Sequence, residues 1–510
     1  MNLKLIGKII GKIMVLEAIL MVFPLFVAII YKEGYLNIIA YAIPIVVILV
    51  AGLILQRMKT TRTGLYQKEG FAVVALVWII MTLFGAVPLV ISGDIPNYID
   101  ATFEVMSGFT TTGASIINDL TKISHSGLFW RSFTHWIGGM GILVFILIFI
   151  PESNDGSAMH LLKAESPGPQ VGKLTSKMRV NTRILYLIYL AMTVIEVVML
   201  LFSKPVVIEG VAKESDHFFY CLLASFGSAG TGGFGFIPNS MEYFSPYAQY
   251  VIATFLILFG INFSLYFLLL IGKFKTVFKS DELKAYFGII IGAVAIIFVS
   301  LIFDKGVALS KVNYEESFRH AYFQVASIMT STGYTTTNFE YWPVVAKTVI
   351  ILLMICGAMA GSTGGGIKVS RIVLAFKGVK RNILHLINPR MVTKTKFEGK
   401  LVDDETINDV FSFITLYFVI AFLIILALSF DKSPGVVIDG VVYELDFMTH
   451  FSATISCLSN IGPAFGASGP YASYDCYNYF SKVILTFAML IGRLEILPVL
   501  ILFSPKTWKK

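Results

Sequence analysis

Apolar runs of about 20 residues recur from one end of this 510-residue chain to the other, separated by short polar segments. A helix rises about 1.5 Å per residue, so each run can cross the roughly 30 Å hydrocarbon core of a bilayer. The pattern predicts ten spans, near residues 10–31, 35–56, 71–93, 129–151, 183–203, 247–271, 285–303, 344–376, 409–430 and 482–503. The first run is followed at once by another, so it reads as a retained span and not as a cleaved signal. Composition narrows the class further. Hydrophobic residues make up 56% and charged residues 14%, where a soluble domain carries roughly a quarter charged. A disordered chain, a disulfide scaffold and most soluble enzymes are excluded. Cys221, Cys356 and Cys457 lie in or beside apolar runs with no metal-ligand spacing, which marks them as reduced packing residues.

The net charge of +8 is placed by the positive-inside rule and not by nucleic acid. Lys4, Lys8 and Lys12, then Arg57, Lys59, Arg62 and Lys68, then Lys273, Lys275, Lys279 and Lys284, then the stretch Lys368 to Lys400, then Lys506, Lys509 and Lys510 all fall on one side if ten spans alternate. That side is predicted to be cytoplasmic, with both termini on it. The opposite side carries Asp94, Asp100, Asp216, Glu315, Glu316, Asp439, Glu444 and Asp446, an acidic face that raises local cation concentration.

Four outer segments do not fit as spans. Each opens with an acid (Asp100, Asp216, Glu316, Asp446), has Phe within three residues, runs about three helical turns, and ends in a polar loop with glycine. With Gly113, Gly232, Gly333 and Gly462 taken as equivalent, the acid precedes by 13, 16, 17 and 16 residues. This is a fourfold repeat of span, short helix, loop and span. It predicts an all-α polytopic membrane protein: an N-terminal hairpin (1–70) and four pseudo-symmetric repeats (71–182, 183–283, 284–400, 401–510) around one pore.

An irregular loop inside a membrane is tolerated only where it is buried in protein or lines a water-filled cavity. Four such loops about one axis supply a ring of carbonyl oxygens that can replace the hydration shell of a monovalent cation. Glycine permits the positive φ this needs. The short helices aim their negative C-terminal ends at the pore. No ring of carboxylates lies in the loops, which disfavours Ca²⁺ or Mg²⁺.

The loops TTTGAS, GTGGFG, TSTGYT and NIGPAFG, with GAMAGSTGGGIKVSR and MLIGRLEILPVLILF, resemble the TrkH/KtrB/HKT superfamily of potassium transporters over nearly the whole chain. The extra hairpin and the length are more similar to the TrkH branch. The resemblance implies K⁺ as the transported ion, with Na⁺ left open, and a pore inside each subunit of a homodimer in a prokaryotic plasma membrane. It implies a selectivity filter at Gly113, Gly232, Gly333 and Gly462 with the residues before them: Thr111, Thr112, Gly230, Thr231, Ser331, Thr332, Asn460 and Ile461. The loops are unequal, since Asn460 and Ile461 stand where others have Thr, so cation selectivity is better defined than K⁺ over Na⁺.

Two features lie below the filter. Gly361, Ser362, Thr363, Gly364, Gly365 and Gly366 interrupt the eighth span, each glycine weakening a helix by roughly 1 kcal/mol against Ala. A plain helix end is the bland reading; an unwound intramembrane segment blocking the pore is the other, and the resemblance implies a gating loop. It is not a phosphate loop, because Ile367 separates Gly366 from Lys368 and no strand precedes it. Arg493 lies in the apolar tenth span two residues from Glu495, at an insertion cost of about 2.5–3.5 kcal/mol. Residues two apart on a helix do not face each other, so a barrier to cations in the pore is favoured over a local pair, and GRLEI resembles the family's segment carrying a pore arginine.

The resemblance also implies cytoplasmic TrkA-like nucleotide-binding subunits. The basic 368–400 stretch suits such a partner or anionic lipid equally. No cofactor is expected on this chain beyond the K⁺ substrate. An ion-coupled secondary cation symporter is the alternative, but it calls for inverted repeats, whereas these four units enter from one side. A membrane enzyme calls for convergent titratable groups, and Glu196, Arg493 and Glu495 are too scattered. His135, His217, His320 and His450 have no metal spacing.

Overall fold

The structure, a computed structural model, describes residues 2–59, 66–141, 178–208, 212–303, 313–390, 394–438 and 440–505. The N-terminal hairpin comprises α1 (Leu3–Leu20), α2 (Val22–Ile30) and α3 (Tyr35–Gln56). Helices α1 and α3 touch through glycine: a Cβ on Gly11 would lie 2.7 Å from Gly52 O, and one on Gly52 2.8 Å from Gly11 O. Small residues at a crossing let two apolar backbones approach where no hydrophobic force in lipid drives them together.

The first repeat is a long helix α4 (Gln67–Ser92), a short helix α5 (Tyr98–Phe109) and α6 (His125–Gly139). The second is α7 (Met178–Leu201), α8 (His217–Gly230), α9 (Pro246–Phe259) and α10 (Phe263–Leu270), with α11 (Phe274–Lys279) leading on. The third is α12 (Asp281–Ile302), α13 (Tyr314–Met329), α14 (Val344–Cys356) and α15 (Val369–Ile387), followed by β1 (Thr395–Phe397) and β2 (Lys400–Val402). The fourth is α16 (Asp404–Leu428), β3 (Val436–Ile438), β4 (Val441–Tyr443), α17 (Phe447–Ser459), α18 (Tyr479–Arg493) and α19 (Leu497–Phe503).

Each short helix packs on the long helix before it: α5 on α4, α8 on α7, α13 on α12, α17 on α16. Each also packs on the second helix of the preceding repeat: α8 on α6, α13 on α9, α17 on α14, and α5 on α18. The last contact closes the circle. Of the acids at the short-helix starts only Asp446 caps its helix through its side chain, accepting from Thr449 N at 2.8 Å; Asn97 and Asn313 cap α5 and α13 ahead of Asp100 and Glu316, and Asp216 makes no side-chain cap bond. These anions sit at the positive ends of the helices.

Six described helices are long and apolar enough to cross a membrane, with Leu3–Ile30 counted as one. They answer to the first, second, third, fifth, seventh and ninth expected spans. The other four are the second spans of the repeats, and their outer segments are only 13 to 15 residues long. Residues 142–151 of the fourth lie outside the described residues. The sixth, expected as one helix over 247–271, bends by 91° between α9 and α10, where Asn262 accepts from Ser264 N at 2.8 Å and restarts the helix. The tenth, expected unbroken over 482–503, breaks at Leu494 to Ile496, with Glu495 and Ile496 at φ 56° and 66°. The cause is steric and shared. Each segment passes under the C-terminus of a short helix, where only glycine fits: Gly138 against Phe109 O, Gly260 against the Tyr286 hydroxyl and Thr330, Gly492 against Leu458 O.

The two small antiparallel hairpins, β1–β2 and β3–β4, were not expected in an all-α chain. In the first, Glu398 and Gly399 adopt φ 50° and 71°, the two positive values of a tight hairpin turn. For the second the signal is present in the sequence: Asp439 and Gly440 lie between Val436-Val437-Ile438 and Val441-Val442-Tyr443, β-branched and aromatic residues that favour strands.

Candidate functional site

The four loops are built alike, starting from the short-helix C-termini. In each, one amide reaches back five residues to close the helix end: Thr112 N to Ser107 O (2.8 Å), Gly232 N to Gly227 O (2.8 Å), Thr332 N to Ser327 O (2.8 Å) and Ile461 N to Ser456 O (2.9 Å). The residue before each is left-handed: Thr111, Thr231, Ser331 and Asn460, at φ 52° to 57°. A β-branched residue there is a true outlier, costing roughly 1–2 kcal/mol. Such strain at four matching places is characteristic of functional loops.

The residue after each amide is a glycine at positive φ: Gly113 (78°), Gly233 (71°), Gly333 (86°) and Gly462 (104°). This corrects the sequence register in one repeat. The sequence spacing pairs Gly232 with Gly113, but in the structure Gly232 matches Thr112, and Gly233 holds the glycine position. The acid-to-glycine spacing from Asp216 then becomes 17, equal to that from Glu316 in repeat three. Gly230 likewise belongs one step earlier than the ring, at the place of Thr110, Thr330 and Ser459.

The glycines are in mutual contact round a closed ring. A Cβ on Gly113 would overlap Gly232 O, one on Gly233 would overlap Thr332 O, one on Gly333 would overlap Ile461 O, and one on Gly462 would lie 2.8 Å from Thr112 O. Every glycine thus abuts the carbonyl preceding the next repeat's glycine. Thr111, Thr112, Thr231, Ser331, Thr332, Asn460 and Ile461 are all buried. Thr110 and Thr112 share a hydroxyl bond at 2.8 Å, as do Thr330 and Thr332. Asn460 Nδ2 donates to Thr112 Oγ1 and to Met489 O, both at 2.9 Å. On one side the ring opens into a cavity of about 860 Å³, lined by Gly113, Gly233, Gly333, Gly462, Asp119 and Asp475 among others. Among the described residues no group of three His, Cys, Asp or Glu is arranged to hold a metal.

On the other side lies the glycine-rich segment. Helix α14 stops at Cys356, and the irregular stretch runs to Lys368, longer at both ends than the expected 361–366. Gly357, Gly361, Gly366 and Lys368 have φ of 72° to 78°. The segment is wedged under repeats three and four: Gly365 N donates to Ser331 Oγ, Gly364 lies against Thr330 O, and Gly365 abuts Ser459 O. It also docks on the break in the second repeat, through Phe263 N to Gly361 O (3.0 Å), Met359 N to Gly260 O (3.2 Å) and Thr363 Oγ1 to Phe259 O (3.3 Å). Ser362 turns back to Met359 O (2.7 Å).

Arg493 joins three of these parts. Its guanidinium donates to Thr111 Oγ1 (3.1 Å), to Thr363 O (3.0 Å), and to the carbonyls of Gly138 and Gly139. Glu495 does not pair with it; Glu495 pairs with Arg371, which also donates to Ile367 O at 3.2 Å. Sequence reading missed Glu282. Its carboxylate accepts from Ala360 N (2.8 Å) and Ser370 N (3.1 Å), one bond on each side of the glycine-rich segment. It also missed Lys368, whose ammonium bonds Gly364 O. The available signal was an acid in the first turn of an apolar span. Glu196 is fully buried on α7.

Four re-entrant short helices, a closed oxygen ring and a multi-pass helical scaffold define a membrane transporter of cations. The comparisons with known proteins agree. The TrkH family model, described as a cation transport protein, matches residues 39–510. The chain is 32% identical to the Trk system potassium uptake protein TrkH of Salmonella typhimurium and 31% identical to that of Halomonas elongata, over the full length of both partners in each case. The crystal structure of the potassium transporter TrkH from Vibrio parahaemolyticus superposes with a TM-score of 0.82 at 29% identity, each chain covered completely. The chain belongs to the TrkH family; it is a membrane ion transporter and not an enzyme.

Proposed function

We propose that this protein takes up K⁺ across a prokaryotic plasma membrane by channel-like passage through the four-loop ring, with Na⁺ as a competing ion. The observation that carries this reading is the closed circuit of glycine-to-carbonyl contacts, Gly113–Gly232, Gly233–Thr332, Gly333–Ile461 and Gly462–Thr112. A ring of oxygens without carboxylates suits a monovalent ion that must bind and leave. The relatives named as Trk potassium uptake proteins support K⁺ as that ion.

An entering ion collects in the cavity beside Asp119 and Asp475, sheds water at the ring, and meets residues 361–366 and Arg493 beneath it. These two form the gate: the segment fills the path, and the guanidinium repels cations. Opening requires the segment to leave its seat under Ser331 and Asn460. A regulator achieves this only by binding the open arrangement more tightly. Cytoplasmic TrkA-like nucleotide-binding subunits on the basic face, a homodimer, cytoplasmic termini and repeat units at 71–182, 183–283, 284–400 and 401–510 complete the proposal.

Rubidium tracer uptake into reconstituted vesicles tests it. Uptake that follows an imposed voltage and is competed by K⁺ more strongly than by Na⁺ is expected. Strict dependence on a Na⁺ or H⁺ gradient would establish ion-coupled symport instead.

A further inference from the structure

The second loop has lost the side chains that brace the first and third. Where those carry hydroxyl-bonded pairs, Thr110 with Thr112 and Thr330 with Thr332, the second has Gly230 and Gly232. The vacated space is filled from another repeat. His135 of α6 is fully buried, and a Cβ added to Gly232 would overlap its imidazole, while one added to Gly230 would overlap its carbonyl oxygen. Phe234 N–H donates to His135 Nε2 at 3.3 Å, so that nitrogen accepts. The proton therefore sits on Nδ1, which donates to Gly108 O at 2.9 Å. The ring stands 4.2 Å from the Phe234 ring, centroid to centroid.

One turn earlier the arrangement repeats. Arg131 Nε donates to Glu104 Oε1 at 2.8 Å, Arg131 NH1 donates to Gly235 O at 2.9 Å, and the guanidinium lies 4.3 Å over Phe234. Residues 131 and 135 on α6, and 104 and 108 on α5, are each four apart and share a face. Two rungs thus tie the first repeat's short helix, through α6, to the second repeat's loop. The upper rung touches residues beyond the ring. The lower rung, His135, backs directly onto Gly232, whose carbonyl abuts Gly113.

We infer that His135 is a positioning residue for ion discrimination. Its imidazole takes the place of the threonine pair and sets the distance between the carbonyl of Gly232 and its neighbour across the interface of repeats one and two. This rests on the ring being the selectivity filter. Arg131 and Glu104, which share no contact with Gly232, serve to hold Phe234 and Gly235 so that the imidazole meets its acceptor and donor together.

The test is rubidium tracer uptake by the full-length protein in vesicles, competed by K⁺ and by Na⁺, with folding followed by the yield of monodisperse protein. His135→Ala is expected to lower K⁺ over Na⁺ discrimination about tenfold, the scale of a contact-pair coupling. Gly232→Thr is expected to abolish uptake, because the hydroxyethyl group and the imidazole claim one space. The double variant His135→Ala/Gly232→Thr is expected to regain uptake, since the Thr side chain then fills the space that the imidazole leaves, at the place of Thr112 and Thr332. A merely structural histidine predicts a double variant as inactive as Gly232→Thr alone, and that result overturns the inference. A wild-type competition profile for His135→Ala overturns it equally. Should His135→Ala not fold, His135→Gln, which keeps a donor and an acceptor, is read by the same criteria. Gly333→Ser, run beside them, separates the premises. If it shifts the competition profile and the His135 variants do not, only the histidine's role fails; if it does not, the filter reading itself fails.

Discussion

The ring and the segment beneath it are both irregular backbone inside a helical membrane protein, yet the balance of main-chain and side-chain contacts differs between them. The ring is secured by main chain: four amides close the short helices at 2.8 to 2.9 Å, and four glycines leave no room between neighbouring repeats. Residues 357–368 share main-chain bonds with the second repeat, Phe263 N to Gly361 O and Met359 N to Gly260 O, but are also held by side chains from elsewhere: Ser331, Glu282 on either side, and Arg493 on Thr363 O. Main-chain packing can change only if the fold changes. Side-chain bonds contribute about 1 kcal/mol each, more when charged, and can be released singly. On the proposed function, the contrast is that of a fixed aperture above a removable plug.

Breaking the aperture should have the largest effect. Gly233→Ser places a side chain at positive φ and against Thr332 O, and uptake should fall about a hundredfold, the sum of roughly 1–2 kcal/mol of backbone strain and the clash. Gly235→Ser, where a Cβ would meet its nearest atom at 3.4 Å, should be nearly silent. Equal effects of the two on tracer uptake would refute the register that puts Gly233 in the ring.

Loosening the plug should act in the other sense. Arg493→Ala removes the charge and the bonds to Thr111 and to Thr363 O. Basal flux without any regulator should rise about tenfold, the effect of roughly 1.4 kcal/mol. Unaltered flux at equal reconstitution would remove the barrier role. A smaller rise, about threefold, is expected for Glu282→Gln, which weakens two charge-assisted bonds while keeping an acceptor; the ion-competition profile should stay that of wild type. A changed profile would mean that Glu282 shapes the ring and not the plug. Ser331→Ala should act least, about twofold on basal flux through the lost bond to Gly365 N. A profile change there would show that ring and plug are one unit and that the comparison is wrong.

How much of this was legible depends on which kind of contact carried it. The first spans of the repeats were plain, because a continuous apolar run is a local property. The second spans were misread as unbroken at Gly260–Asn262 and Leu494–Ile496, because those helices end where a short helix crosses them, that of the third repeat at Gly260 and that of its own repeat at Gly492. The glycine ring was legible to within one residue. Three repeats aligned correctly on their own motif; in the second, consecutive glycines at 232 and 233 left the choice open, and only φ and the neighbouring carbonyls resolved it. His135 has no metal spacing, and nothing local shows that it and Arg131, one turn apart in an apolar span, reach the loop of the next repeat.

The sequence by itself determined a fourfold polytopic helical protein with four glycine-containing loops, since hydrophobic periodicity, loop charge and repeat spacing are properties of residues near one another in the chain. Tertiary structure alone decided which oxygens face which glycines, that Glu495 serves Arg371 and not Arg493, and that an imidazole from one repeat replaces two side chains of the next. Those contacts join residues about 100 or more positions apart, and no local pattern encodes the distance between them.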